Sequence, residues 1–128
     1  MLNSFLENPS ESSNLTEKIS HVPILFADIA GFTKYSSSVT PLEVLTMLRE
    51  LFTEFDKLCL NYEMYKLYTI GDCYVVMGVC DTNMRDELKE ITNLLSMAFD
   101  MINIIRQVRA RVGFLELDMR IGIHIVKI

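Results

Sequence analysis

The hydrophobic positions of this chain change period several times, and each change marks an element. "HVPILFAD" is a short apolar run with β-branched and aromatic members, which predicts a buried strand over about 22–28 with Pro23 at its start. A glycine turn and a Ser-rich loop follow. Leu45, Leu48, Phe52, Phe55 and Leu58 then recur at steps of three and four, the pattern of an amphipathic helix over about 41–60. Thr40 is placed to cap that helix, Pro41 to begin it, and Glu43 to lie in its first turn.

"MYKLYTI" and "CYVVMGV" are two strand-like runs joined by Gly71-Asp72, a dipeptide that tolerates a tight hairpin turn. Met84, Leu88, Ile91, Leu95, Ala98, Ile102, Ile105 and Val108 restore the helical period over 84–112, and Gly113 stands where the helix should stop. The closing run "LELDMRIGIHI" alternates, placing Leu115, Leu117, Met119, Ile121 and Ile123 on one face of a strand. The order is βαββαβ without internal repeats, an α+β arrangement that matches the ferredoxin-like unit. Residues 1–20 carry Pro9 and several Ser and Asn without periodicity and read as a polar N-terminal linker, leaving 21–128 as the domain.

Composition narrows the function more than the fold. Half of the 128 residues are hydrophobic, enough for a core that buries roughly two thirds of the unfolded surface. The net charge of −5, with Lys and Arg dispersed, argues against a nucleic-acid partner, since phosphate backbones are held by clustered cations. No apolar run reaches the ~20 residues of a membrane span or the form of a signal peptide, so the segment is expected to be soluble, without membrane contact of its own. Cys59, Cys73 and Cys80 show no paired spacing and read as ordinary thiols of a reducing compartment, and His21 and His124 are too far apart in sequence to suggest a His-based metal site.

The candidate chemistry lies in "FADIAGFTKYSS" and in the hairpin turn. In a ferredoxin-like unit the first strand is parallel to the second, with the third antiparallel between them, so Asp28 and Asp72 meet on strands about 4.8 Å apart. Each has an ordinary reading, Asp28 as a loop cap and Asp72 as a turn residue. Together they repel unless a cation sits between them, and Mg²⁺ suits a site of one or two carboxylates completed by water and substrate phosphate. Gly31 permits a turn of inward backbone N–H groups for an anion. Thr33 could donate to the same anion or serve as a turn hydroxyl.

With "FADIAGFT", "YTIGDCY" and "RIGIH" in this order, residues 22 to about 124 resemble the class III nucleotidyl cyclase catalytic domain, and "ILFADIAGFTKYSSS" is most similar to protist guanylate cyclases. The resemblance implies that Asp28 and Asp72 hold two Mg²⁺ ions, for which Mn²⁺ can substitute, with the Ile29 carbonyl completing one shell. It implies that Gly31, Phe32 and Thr33 wrap the triphosphate, with Tyr68 and Gly71 also in the nucleotide-binding set. The implied reaction turns GTP, or alternatively ATP, into a cyclic nucleotide and pyrophosphate at the interface with a second cyclase domain, in a homo- or heterodimer.

Two departures from the family pattern qualify that expectation. The position before "TIGD" helps choose the purine, as Glu in guanylate and Lys in adenylate cyclases, but here it is Tyr68, whose phenol can donate or accept. The purine therefore stays open. After "RIGIH" the family continues to an Asn and an Arg for the transition state, whereas this chain reads "IVKI". We therefore expect a truncated domain, either a shortened gene product or the cytoplasmic part of a larger, often membrane-bound cyclase. It would be inactive alone, or act as a non-catalytic dimerising regulator. A ferredoxin-like RNA-binding module is the remaining reading, supported only by Tyr68 and Tyr74 and opposed by the acidic balance.

Overall fold

A computed structural model describes residues 21–79 and 85–127, so the expected linker, Cys80 and Met84 lie outside the described residues. Strand β1 spans His21–Ala30, helix α1 Phe32–Ser38 and helix α2 Pro41–Asn61. The hairpin strands β2, Tyr65–Ile70, and β3, Cys73–Met77, follow, then helix α3, Glu87–Val112, and strand β4, Asp118–Lys127. The sheet order is β2-β3-β1-β4 and every neighbouring pair is antiparallel, so β1 and β2 run parallel with β3 between them, as expected of the ferredoxin-like unit.

Leu25, Ala27 and Ile29 of β1, with Tyr74 and Val76 of β3, point to one face of the sheet and join the core with α2 and α3. Thr40 accepts from the Glu43 N–H at 3.2 Å, and Gly113 closes α3 in the left-handed region at φ 73°, as the sequence indicated.

The helix faces differ from expectation by about one residue. Met47, Leu51, Phe55 and Cys59 are the buried stripe of α2, while Leu48, Phe52 and Leu58 pack at its margin and Leu45 is exposed. In α3 the buried stripe is Glu90, Leu94, Met97, Met101, Ile105 and Val108, with Leu88 and Leu95 exposed. Both helices carry apolar residues on two adjoining registers, and docking on the sheet selects between them.

Glu90 lies in the buried stripe because Arg85 receives it on both oxygens, at 2.7 and 2.8 Å, while also donating to the His21 carbonyl. That fork ties the start of α3 to the start of β1.

Three local expectations are corrected. The Ser-rich segment is helix α1 and not a loop: Ser36 and Ser37 donate to the Thr33 carbonyl, Ser38 donates to that of Tyr35, and the Tyr35 ring anchors the turn in the core against Phe114. Leu115 is exposed ahead of β4, because the chain is still turning there and strand pairing begins only at Asp118. Asp28 is not the end of its strand, since pairing with β4 carries β1 on to Ala30.

Candidate active site

Residue 28 sits inside β1, directly across from Cys73 on β3 and Arg120 on β4. Asp72 occupies the hairpin turn just before β3, where Gly71 takes φ 56° to let the two strands reverse. The two carboxyl groups therefore meet as the topology required, close enough that Asp28 bears on the ionisation of Asp72. Burial pushes the Asp72 carboxyl above the usual carboxylate range. The neighbouring Asp28 acts in the same direction, while the N–H groups of Asp72 and Ile29 pull partly back. The adjoining Cys73 thiol is pushed up by burial and by both carboxylates.

Asp28, Ile29, Gly31, Phe32, Thr33, Lys34, Asp72 and Arg120 line one cleft of about 420 Å³. Gly31 turns the chain from β1 into α1 at φ 78°, and a Cβ there would lie 2.7 Å from the Glu116 carbonyl oxygen. Both facts require glycine. The turn places the start of α1 beside the carboxylates, which brings six of the eight residues expected at the site together. Tyr68 and Gly71 do not line the cleft: Tyr68 is exposed on β2 across from Val75, and Gly71 is exposed in the turn.

Two cations of the cleft were missed in the sequence. Arg120 donates to Asp28 Oδ2 at 2.9 Å, and Lys34 pairs with Glu116 at 2.8 Å. Arg120 stands in the quoted "RIGIH", and pairing the first and last strands in antiparallel register is the step that would have found it.

Among the described residues no group of three or more His, Cys, Asp and Glu could hold a metal. Two carboxylates with a neighbouring backbone carbonyl are a poor set for Zn²⁺ or Ca²⁺. They suit Mg²⁺ or Mn²⁺, which keep water and substrate oxygens in their remaining positions. No helix among the described residues is long and apolar enough to cross a membrane.

Comparison with known proteins places these features. The family model of the adenylate and guanylate cyclase catalytic domain matches residues 15–128. Guanylate cyclase beta of Plasmodium falciparum is 37% identical over 121 residues, covering 92% of this chain and 4% of that protein. Guanylate cyclase alpha of the same organism is 43% identical over 103 residues, covering 78% of this chain and 2% of that protein. The chain thus spans a small fraction of these relatives. Among solved structures, the monomeric guanylyl cyclase domain of the RhoGC fusion protein from Blastocladiella emersonii superposes with a TM-score of 0.69 at 29% identity, over 84% of this chain and 60% of that one. On the strength of the family match across nearly all of its length, this chain belongs to the adenylate and guanylate cyclase catalytic domain family.

Proposed function

We propose that the chain is the metal-bearing half of a guanylate cyclase catalytic domain, which makes cGMP and pyrophosphate from GTP when a second cyclase domain completes the site. The convergence of Asp28 and Asp72 on one cleft, against the repulsion of two like charges, carries this reading. The carboxylates of Asp28 and Asp72 and the carbonyl of Ile29 would hold two Mg²⁺ or Mn²⁺ ions. Such ions supply charge that activates the ribose 3′-hydroxyl for in-line attack on the α-phosphate and stabilises the leaving pyrophosphate.

The chain's own residues position the substrate. Gly31 keeps the backbone close at the start of α1, where Phe32 and Thr33 wrap the triphosphate. Lys34 and Arg120 bring positive charge to the same cleft, and a guanidinium fork matches phosphate geometry. Tyr68, exposed on β2, is available to a base whose other contacts come from the second domain. GTP is favoured over ATP by the guanylate cyclases among the relatives. Cyclic nucleotide signalling in the cytoplasm, from a larger membrane-bound parent, is the setting we propose.

The test is complementation with a second cyclase half, assayed with GTP and with ATP in Mn²⁺. Robust cGMP formation by the pair is expected, and a loss of about a hundredfold or more in Asp28→Asn and in Asp72→Asn. Activity retained by either variant removes that aspartate from the site. Metal-dependent stabilisation with no turnover in any pairing would instead make the chain a non-catalytic partner.

A further inference from the structure

We propose that Arg120 is a positioning residue that competes with the divalent cation for Asp28 and so makes metal entry depend on the arriving triphosphate. The inference rests on the metal reading of the cleft given above. Its basis is one shared atom. Arg120 donates to Asp28 Oδ2 at 2.9 Å, and a cation held by Asp28 draws on the same carboxylate.

The register makes the pairing local. Asp28 and Arg120 face each other directly across β1 and β4, so their contact needs no loop rearrangement. The Arg120 side chain is also 70% exposed, which leaves the guanidinium free to move and keeps the pair weak. Of the two cations in the cleft, Lys34 is held by Glu116 and only Arg120 is committed to a candidate metal ligand.

A cation arriving alone must displace the guanidinium and then bear its repulsion. A triphosphate changes that balance. It offers Arg120 a bidentate acceptor with more negative charge than Asp28, so the guanidinium transfers and the carboxylate is released to the metal. Metal and triphosphate then tighten each other reciprocally, with Arg120 carrying part of the coupling.

The test measures Mn²⁺ binding to the full chain by the electron paramagnetic resonance of free Mn²⁺, with and without a non-hydrolysable GTP analogue. Without the analogue, Arg120→Gln should bind Mn²⁺ about threefold to fivefold more tightly than the parent, the range open to an exposed ion pair. Its gain in Mn²⁺ affinity on adding the analogue should shrink by at least the same factor. Lys57→Gln removes an exposed charge paired with Glu54 outside the cleft and leaves Asp28 paired, and should change Mn²⁺ binding less than about 1.5-fold on the same scale.

Equal or weaker Mn²⁺ binding in Arg120→Gln, or equal tightening in Lys57→Gln, overturns the proposal. Arg120→Lys keeps the charge but loses the fork and should fall between parent and Gln. If the Gln variant does not fold, absence of tightening in Arg120→Lys overturns the proposal instead. Binding by the parent that Asp28→Asn abolishes and Arg120→Gln leaves unchanged defeats this inference alone. No Mn²⁺ binding by the parent defeats the metal reading with it.

Discussion

Gly31 is the residue on which the geometry of the cleft depends most directly. Gly31→Ala meets two penalties, a left-handed φ of 78° and a backbone oxygen 2.7 Å from the new Cβ. The expected loss is roughly 2 kcal/mol or more, read as a lower denaturation midpoint. Tyr74 provides a second test. Its ring is fully buried and its hydroxyl donates to Asp56 at 2.5 Å, with Cys59 Sγ 3.4 Å away. Burial, followed by the bond to Asp56, pushes the phenol far above the ordinary tyrosine value of 10.0, and burial also raises the Cys59 thiol above the ordinary 9.0. Groups raised on folding contribute stability below their unfolded values and lose it as pH climbs toward their folded values, so stability should fall from about pH 9 upward. Tyr74→Phe should cost about 1.5–3 kcal/mol at neutral pH and flatten the part of the alkaline decline that begins near pH 10, measured by denaturant titration across pH.

The elements were legible in the sequence except for α1, expected as a loop, but which face of α2 and of α3 is buried was not. Thr40, Pro41, the Gly71-Asp72 turn and Gly113 act through local backbone chemistry, and the structure uses all of them as the sequence implied. Leu94 and Leu95 show where local information ends: they are adjacent and chemically identical, yet one is fully buried and the other 48% exposed. Only the sheet beneath α3 decides between them. Leu94→Ala should therefore cost about 2–5 kcal/mol, and Leu95→Ala well under half as much, by chemical denaturation. Glu90 was hidden for the same reason, since a charge in the buried stripe contradicts the apolar pattern until Arg85 is seen to clasp it. Glu90→Ala removes the carboxylate that receives this buried guanidinium on two oxygens and should cost about 3–5 kcal/mol.

At the scale of the molecule, the carboxylate pair was legible because strand order alone forces Asp28 and Asp72 together. The Arg120 contact was not, because it needs the register between the first and last strands. The same limit bears on activity. The chain spans 60% of the solved RhoGC domain, and we expect no measurable cGMP or cAMP from it alone with GTP or ATP in Mn²⁺; robust turnover would show that the second half is not needed. β1 is central in the sheet, and one of its two neighbours, β4, is the last of the described strands. Asp28 and Arg120 are 92 residues apart in sequence, so β1 and β4 can pair only once the intervening elements have been made. As the chain emerges from the ribosome, β1 is made before β4 and must wait, one edge unpaired, until α1, α2, the β2–β3 hairpin and α3 have been translated. During that interval it is open to pairing with the wrong strand, and a chaperone that shields "HVPILFAD" would be expected to raise the yield of folded protein.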